Sequence, residues 1–491
     1  MSRVSRGHRY LANAKKAWQA ITAVHIKGPE SRNKMPVNDQ RQSSPGMRRV
    51  SAFANALLAR MPKRIFSSVR WRTRAIIWFA AAVAGLAATA FARLSSLALS
   101  GFNSVATRHM WLSLAITPCV GMAVVWLTKR HFKGAAGSGI PQVIAATRLL
   151  KHDGPVEGLL SLRIVCGKIF LGAFALLGGF SAGREGPSVQ IAASIMHYAH
   201  RFLPSGRALR ASDLALAGGA AGIAAAFNTP LAGITFAIEE LGRRFESRTS
   251  GVLLSTIIIA GLTAIAIEGN YRYFGRLTVG SVGAGIVPAV LVASLVSGLA
   301  GGAFSRLLLW PQRSAHGGIW ALRKRHPVLF AGACGLAVAL IGCAAGGVSF
   351  GSGYAITSQA IDGAIRLPWY TPVARFAATA VTYFSGIPGG IFAPSLAVGA
   401  SIGFDLARWM DFGMNAQPLV AICMAGFLAA VTQSPITASI IVMEMVDGHA
   451  MVISLMATAL ISKAISERIG PELYPQLAAD YVHVESRRTA T

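Results

Sequence analysis

Residues 178–195 read GGFSAGREGPSVQIAASI, a glycine-rich turn that carries Arg184 and Glu185 side by side. The chain is strongly apolar on both sides of this turn. Ionisable residues inside membrane-spanning segments are rare, and insertion scales put their cost at about 2.5–3.5 kcal/mol. The stretch therefore indicates a functional acid inside a membrane protein, and the rest of the sequence supports this interpretation.

The composition is typical of a membrane protein with many helices. Hydrophobic residues make up 53% of the 491 residues and charged residues only 13%, whereas soluble domains carry about 25% charged residues. Five apolar runs approach the length of about 20 residues that crosses a bilayer: Ala75–Ala92, Trp111–Thr128, Leu159–Phe180, Gly251–Ile267 and Ile286–Phe304. Strand-like alternation is absent, which disfavours a membrane barrel, and a soluble enzyme with an unusually apolar core is the weaker alternative.

The second half of the chain repeats motifs of the first half in the same order. The matching pairs are GIAAAFNTPLAGITFAIEEL (222–241) with FLAAVTQSPITASIIVMEMV (427–446), GPSVQIAASI (186–195) with APSLAVGASI (393–402), and GSG (137–139) with GSG (351–353). The first match has a shift of 205 residues, which places Pro230 on Pro435 and Glu239 on Glu444. Such repeats are typical of transporters and channels, whose substrate site lies between the two halves. These matches leave open whether the halves are parallel or inverted.

Three loops rich in glycine and proline each precede an apolar helical stretch: GSGIP (137–141), GREGP (183–187) and GGIFAP (389–394). Glycine lets backbones approach closely, and proline suits the first turn of a helix. Each loop therefore predicts a helix N-terminus, whose unpaired amides and positive dipole end attract anions. The alternative, that these residues only kink spanning helices, is weaker for three loops in a duplicated chain. A phosphate-binding loop is disfavoured because no G-x-x-x-x-G-K-[ST] motif occurs.

The net charge of +28 is concentrated at the N-terminus, where residues 1–74 hold 17 Lys and Arg but only two acids. We interpret this segment as a mostly disordered cytoplasmic arm, with possible short surface helices at Tyr10–Thr22 and Ser51–Met61. Nucleic-acid binding is the alternative for so basic a tail. Basic residues beside a first span more often fix its orientation and meet anionic lipid. We therefore expect a lipid bilayer, and no nucleic acid, as partner, and we place three further basic clusters, at 129–133, 243–248 and 323–325, on the cytoplasmic side.

The five cysteines are scattered singly through apolar segments and show neither metal-site nor disulfide spacing. We expect no metal and no cofactor. An embedded enzyme with Glu185, Glu239 and Glu240 as catalytic acids is disfavoured, because no nucleophile–base pair and no cluster of metal-ligand type accompanies these loops. The sequence therefore favours a transport protein over an enzyme.

The three loops, together with a tyrosine in ELYPQL (472–477), resemble the signature of the CLC chloride channel and transporter family. The resemblance covers roughly residues 75–480, in the same order and with similar spacing. It implies a homodimer with one anion path per subunit, and an all-α fold of two inverted repeats with about 18 tilted, partly membrane-penetrating helices. We accordingly divide the chain into an arm (1–74), a first repeat (75–270) and a second repeat (271–491).

The resemblance also implies roles for individual residues. Hydroxyls of Ser138 and Tyr474, and the backbone amides of Ile391 and Phe392, correspond to chloride ligands. Glu185 corresponds to the gating glutamate, which also accepts protons on the extracellular side, and Glu240 to the intracellular proton-transfer glutamate. The surrounding loop positions are Gly137, Gly139, Pro141, Gly183, Arg184, Gly186, Pro187, Gly390 and Pro394. Hydroxyls are neutral donors that can hold chloride without trapping it, as conduction requires.

Glu240 favours a secondary active transporter that exchanges chloride for protons, because channel-type relatives typically carry an apolar residue at this position. The alternative is a passive voltage- or pH-gated chloride channel of the same fold. Gln142 departs from the family, in which many members have an acid after the GSGIP proline. The chain ends 17 residues after Tyr474, which leaves no room for the paired cytosolic nucleotide-sensing (CBS) domains of eukaryotic members. We therefore expect a prokaryotic-type, multi-pass protein of the cytoplasmic (inner) membrane with a cytoplasmic N-terminus.

Overall fold

The computed structural model describes residues 68–204, 209–242, 250–269, 273–277, 286–313, 318–363, 367–410 and 415–490. Residues 71–491 form one compact unit. Most of the predicted arm, including its two predicted short helices, lies outside the described residues. The predicted division at residue 270 falls in a stretch that is described only in part, and it stays a prediction.

The first half of the described chain consists mainly of helices. They are α1 (Ser68–Arg108), α2 (Ser113–Arg130), α3 (Ile140–Leu150), α4 (Leu162–Leu177), α5 (Glu185–Ala199), α6 (Ala211–Phe227), α7 (Pro230–Phe236) and α8 (Ser250–Glu268). Helix α7 continues as a π-helical turn, Ala237–Gly242. Helix α1 begins at Ser68, so the last residues of the predicted arm are helical.

The second half is also helical. Its elements are α9 (Ile286–Leu308), α10 (Trp310–Arg313), α11 (Ile319–Arg325), α12 (Pro327–Ala344), α13 (Tyr354–Ile361), α14 (Thr371–Ser385), α15 (Phe392–Trp409), α16 (Ala416–Thr432), α17 (Pro435–Met445), α18 (Val452–Ile469) and α19 (Leu473–Ala490). Within the described residues the β contacts are isolated bridges between loops.

Among the residues that the structure describes, six helices are long and apolar enough to span a membrane, and they lie at Trp71–Arg108, Met110–Arg130, Gly251–Glu268, Ile286–Gln312, Pro327–Ala344 and His449–Ile469. Other apolar helices are too short to cross, including α3, α6, α16 and α17. The apolar run Leu159–Phe180 was expected to approach bilayer length, but its helix α4 has only 16 residues. The mixture of spanning and partial helices is the architecture that the family resemblance implies.

The duplication is visible in how two equivalent helices end. Helices α6 and α16 each have 17 residues and end at a residue in the left-handed conformation, Asn228 or Gln433, both with φ of 59°. Proline follows two residues later in each half and begins α7 or α17. A left-handed residue ends a helix, and proline suits the first turn of the next one. The same local chemistry therefore produces the same break in both halves.

Equivalent carboxylates cap equivalent helices across the two halves. Glu239 accepts hydrogen bonds from the amides of Ile436 and Thr437 at 3.2 and 2.7 Å. Glu444, which is 205 residues after Glu239, accepts from Leu231 and Ala232 at 3.3 and 2.8 Å. Each half thus supplies the acid that satisfies the unpaired N-terminal amides of the other half. This exchange relates the halves by a local two-fold axis.

Small residues allow the central helices to touch at backbone distance. A Cβ atom added at Gly222 of α6 would lie 2.5 Å from the carbonyl oxygen of Ser188 in α5. In the second half, a Cβ atom at Gly403 of α15 would lie 2.5 Å from the carbonyl oxygen of Leu419 in α16. Helices in a bilayer associate through close backbone contact. Lipid tails are as apolar as the side chains, so burying an apolar side chain between helices contributes little free energy. These contacts fix the positions of α5 and α15, the helices that begin at the GREGP and GGIFAP loops.

Candidate functional site

The three predicted loops meet at one place. Gly137 donates its amide to the carbonyl of Ile387 at 3.2 Å and accepts from the amide of Gly389 at 3.2 Å. Gly183 and Gly390 exchange two backbone hydrogen bonds, both of 2.7 Å, as an antiparallel bridge. The helices that begin at these loops, α3, α5 and α15, therefore direct their N-terminal ends toward a shared region. Because Gly183 and Gly390 are 207 residues apart, as in the sequence repeat, this bridge joins equivalent positions of the two halves and fits a local two-fold axis between them.

Two glycines are required for the loops to pack this closely. Gly139 has φ of 109°, a conformation that other residues rarely adopt, and an added Cβ atom would lie 2.5 Å from the carbonyl oxygen of Gly186. A Cβ atom at Gly186 would lie 2.5 Å from Ser138 Oγ. The loop that carries Ser138 therefore lies directly against the loop that carries Glu185. Pro141, Pro187 and Pro394 occupy the first turns of α3, α5 and α15 respectively.

Ser138 and Tyr474 place two hydroxyls in this region, although they are far apart in sequence. Both side chains are buried, and neither oxygen makes a well-formed hydrogen bond to a described residue. The two groups are nevertheless close enough to interact, and the Tyr474 ring stacks on Phe392 with centroids 6.0 Å apart. Buried hydroxyls normally have partners. Two buried hydroxyls that make no well-formed hydrogen bond and lie beside helix N-termini form a polar pocket suited to a small anion.

Ile391 and Phe392 lie at the start of α15 and are buried. The first amides of a helix have no acceptor within that helix. The start of α15 packs against the Glu185 loop, and the Phe392 ring stacks on Tyr474, so these amides lie near the hydroxyls of Ser138 and Tyr474. The structure thus brings all four predicted chloride ligands to one neighbourhood, and their roles remain predictions.

The carboxylate of Glu185 is fully buried. Its Oε1 accepts a hydrogen bond of 3.0 Å from the hydroxyl of Tyr273. Its Oε2 lies beside Gly183, near the side chains of Ala393 and Pro394 at the start of α15. The backbone amides of Glu185 and Ala393 also interact favourably with the carboxylate. The side chain therefore occupies the positive end of α15, where an anion would also bind.

Arg184 points away from this pocket. Its guanidinium donates to the carbonyl of Ala92 at 3.1 Å and to Ser96 Oγ at 3.0 Å, both on α1. It also lies 5.3 Å from the ring centroid of Tyr273, within the range of a cation–π contact. Arg184 thus ties the Glu185 loop to α1 and contributes positive charge beside the pocket.

Glu240 lies on the π-helical turn after α7 and is buried. Its Oε2 accepts a hydrogen bond from the hydroxyl of Ser434, the residue immediately before α17. Both Glu240 and Glu185 lie within electrostatic range of Tyr474. The two predicted proton-binding acids therefore lie in different environments around a common tyrosine.

Sequence reasoning assigned no role to several residues that complete the site. Lys168 of α4 is fully buried, and its ammonium donates to the carbonyl of Gly137 at 2.6 Å. A single lysine within an apolar run was the sequence feature that could have identified Lys168. Gln142 accepts from the amide of Gly139 at 2.9 Å and donates to Tyr481 on α19 at 3.2 Å. This glutamine therefore closes the GSGIP loop and connects it to the C-terminal helix. Tyr273 gave a weaker signal, the aromatic-rich stretch NYRYFG (270–275).

No group of three or more His, Cys, Asp or Glu side chains that could hold a metal ion occurs among the residues that the structure describes. The polar groups that converge here are hydroxyls, backbone amides, single carboxylates and the ammonium of Lys168, which donates to a backbone carbonyl. This donor set suits a small anion and a proton rather than a metal.

The fold and the site together define a class of protein: a multi-helical membrane transport protein built from two inverted repeats. A family model described as voltage gated chloride channel matches residues 120–467. The chain belongs to this family, the CLC family of chloride channels and transporters.

Curated relatives and solved structures agree with this assignment. The chain is 31% identical over 418 residues to the H(+)/Cl(-) exchange transporter ClcA of Yersinia pestis bv. Antiqua (strain Angola), covering 80% of this chain and 83% of the relative. It is 31% identical over 422 residues to the protein of the same name from Cronobacter sakazakii (strain ATCC BAA-894), covering 81% and 87%.

Two solved structures share the fold at 22% sequence identity. A slow cyanobacterial Cl⁻/H⁺ antiporter has a TM-score of 0.71, with 84% of this chain and 98% of that chain covered. A CLC-type fluoride/proton antiporter has a TM-score of 0.68, with 82% and 96% covered.

Proposed function

We propose that the protein is a secondary active transporter that exchanges chloride for protons across the cytoplasmic membrane of a prokaryotic cell. The observation that carries this proposal is the buried Glu185 carboxylate at the N-terminal end of α15, beside the buried hydroxyls of Ser138 and Tyr474. The names of the two ClcA relatives support exchange of the same two ions.

In this proposal chloride and the Glu185 carboxylate compete for one positive region. Chloride is held by the hydroxyls of Ser138 and Tyr474 and by the amides of Ile391 and Phe392, which attract an anion without a full opposing charge. Ionised Glu185 occupies the region and blocks the path. When Glu185 binds a proton, it loses its attraction to the amides and leaves, so chloride can enter.

Protons reach the opposite side through Glu240. Its carboxylate is buried and accepts a hydrogen bond from Ser434, and it lies within electrostatic range of the same tyrosine as Glu185. Because protons use both Glu185 and Glu240, their route separates from the chloride path on the intracellular side. Coupling arises because Glu185 belongs to both routes.

We place the N-terminus and the intracellular proton glutamate on the cytoplasmic side. Basic residues end α2 and α11, namely Lys129 and Arg130 in α2 and Arg323, Lys324 and Arg325 in α11, and such residues favour the cytoplasmic face. Exposed apolar side chains on α8, α17 and α18, including Leu262, Ile436 and Ile453, supply a surface for lipid and for the second copy of a homodimer. The functional unit is then a dimer with one anion path in each subunit.

The decisive experiment uses the purified protein in liposomes with a chloride gradient and no initial pH gradient. We expect chloride flux to drive protons in the opposite direction, so that a pH gradient forms. Chloride flux without proton movement would contradict exchange and support the alternative, a passive chloride channel. Absence of flux of either ion, in protein shown to be folded, would contradict both.

A further inference from the structure

A cavity of about 590 Å³ opens next to the Glu185 loop. Its wall includes Arg184 and Tyr273, and it also includes Arg93 and Glu268, which form an ion pair of 2.5 Å. Glu185 does not contribute to this wall, yet the Tyr273 hydroxyl reaches its carboxylate. Tyr273 therefore stands between the cavity and the carboxylate that the proposed function uses as a gate.

The tyrosine is held firmly in this position. It is 2% exposed, and its ring makes edge contacts with Phe227, Phe274 and Tyr354 at centroid distances of 5.3, 4.8 and 5.0 Å. Arg184 lies against the ring as well. A phenol fixed by several aromatic neighbours loses little entropy when its hydroxyl makes a hydrogen bond.

The backbone beside Tyr273 is attached to the second half of the fold. The amide of Phe274 donates to the carbonyl of Met445 at 3.1 Å, and the amide of Leu277 donates to that of Val446 at 2.8 Å. These acceptors lie at the end of α17. The hydroxyl of Tyr273 is thus presented to Glu185 by an anchored segment.

We propose that Tyr273 is a positioning residue for the gate: its hydroxyl latches the ionised Glu185 carboxylate in the closed position at the edge of the cavity. The proposal rests on the gating role given to Glu185 under the proposed function. A hydrogen bond to a carboxylate is stronger than one to a neutral acid. The hydrogen bond from Tyr273 therefore stabilises the ionised, closed form. A higher proton concentration, that is a lower pH, is then needed to open the gate.

Other charged and titratable groups around Glu185 act through space. Arg184 lies on the same loop, and Tyr474 approaches from α19. The ammonium of Lys168 donates to the backbone carbonyl of Gly137 in the adjoining GSGIP loop. Arg375 of α14 lies near Ala397, one turn of α15 beyond Ala393. All of these groups remain when the Tyr273 hydroxyl alone is removed, so that change isolates the latch.

The test is Tyr273→Phe, which keeps the ring and deletes the hydroxyl. In liposomes we expect the pH at which chloride flux is half-maximal to rise by about one unit, because one hydrogen bond to the ionised gate is lost. Tyr354→Phe is the matched control, since this tyrosine contacts the same ring and lines the same cavity. We expect Tyr354→Phe to leave the pH profile unchanged. An unchanged profile in Tyr273→Phe would overturn the latch.

A second measurement separates latching from a structural role. In protein that already carries Glu185→Ala, the added Tyr273→Phe change should leave chloride flux and its pH profile unaltered, because the acceptor is gone. An equal effect of Tyr273→Phe with and without the Glu185 carboxylate would overturn the proposal. Parent protein that moves chloride but no protons would contradict the proposed exchange alone, because the latch is judged only by the pH profile of chloride flux.

Discussion

At the scale of single residues, the two proposed proton acceptors are held in different ways. Glu185 interacts with backbone amides at a helix end and with one tyrosine hydroxyl, whereas Glu240 accepts from the serine that precedes α17. Amides at a helix end attract any anion, which is why we propose that chloride replaces the carboxylate of Glu185. The hydrogen bond from Ser434 holds the Glu240 carboxylate in one position. A fixed carboxylate suits a proton acceptor that does not move during transport.

We expect Glu185→Gln to move chloride at a rate that no longer depends on pH and to move no protons. A glutamine side chain is neutral at every pH and cannot act as the ionised plug or carry a proton. Chloride and proton fluxes in liposomes between pH 4 and 8 would measure both effects.

Glu268→Gln is the control for this prediction, because Glu268 is an acid on the wall of the neighbouring cavity that pairs with Arg93. It should keep the pH dependence of the parent protein. If chloride flux in Glu185→Gln remains as pH-dependent as in the parent, the gating role is wrong.

Glu240→Gln should abolish proton movement and leave chloride flux within a few-fold of the parent. The amide cannot accept and release a proton at this position, while the proposed chloride ligands Ser138 and Tyr474 are unchanged. Simultaneous recording of external chloride and pH around the liposomes measures the two fluxes in one experiment.

The neighbouring change Glu239→Gln is a close control, since Glu239 caps α17 and has no place on the proposed proton route. Coupled proton movement should survive this change. Proton movement that persists in Glu240→Gln would show that the intracellular proton acceptor is another residue.

At the scale of helices, the two halves stabilise each other through exchanged caps. The short helices α7 and α17 begin where α6 and α16 end, and their N-terminal amides are satisfied by Glu444 and Glu239 of the opposite half. In lipid no water replaces such partners, so an uncapped helix start is unfavourable. The caps therefore help to fix Glu240 and Ser434 at the contact between the halves.

Replacing either capping acid by glutamine should lower the free energy of unfolding by about 1–2 kcal/mol, because hydrogen bonds to a charged group are exchanged for weaker ones. Thermal unfolding in detergent measures the change. The effects of Glu239→Gln and Glu444→Gln should be similar, as their environments are related by the repeat.

The control for the caps is Glu467→Gln on α18, where the acid makes an exposed pair with Lys463 at 3.3 Å. Such helix-surface pairs contribute only about 0.3–0.5 kcal/mol. Equal melting temperatures for all three variants and the parent would show that the exchanged caps do not stabilise the fold.

At the scale of the whole molecule, the site depends on elements from both ends of the described chain. Ser138 precedes α3, Tyr474 lies in the first turn of α19, and Gln142 bonds to Tyr481 to hold the two helices together. The proposed ion ligands all lie after the start of α1 at Ser68.

Deleting residues 1–67 should leave coupled chloride and proton transport and the oligomeric state unchanged, because every proposed ion ligand lies after Ser68. Flux in liposomes of neutral lipid and the mass of the detergent complex would measure the two properties. Loss of coupling in a deletion variant that inserts and folds normally would assign the basic arm a direct role in transport.

The sequence alone determined features that depend on local chemistry. Apolar composition indicated spanning helices, glycine and proline placed the starts of α3, α5 and α15, and the shift of 205 residues revealed the duplication. These signals lie within short stretches, and helix starts and breaks respond to neighbouring residues. The family resemblance added roles for Ser138, Glu185, Glu240 and Tyr474, and the structure brings these residues together.

Only the tertiary structure decided which distant groups meet. The bond from Tyr273 to Glu185 joins positions 88 residues apart, and that from Ala232 to Glu444 joins positions 212 residues apart. Neither partner carries a local signal for the other, because long-range pairing follows from helix packing rather than from neighbouring residues. The local two-fold relation of the halves was decided in the same way, by the antiparallel bridge between the equivalent residues Gly183 and Gly390, since a sequence repeat does not show how its two copies pack.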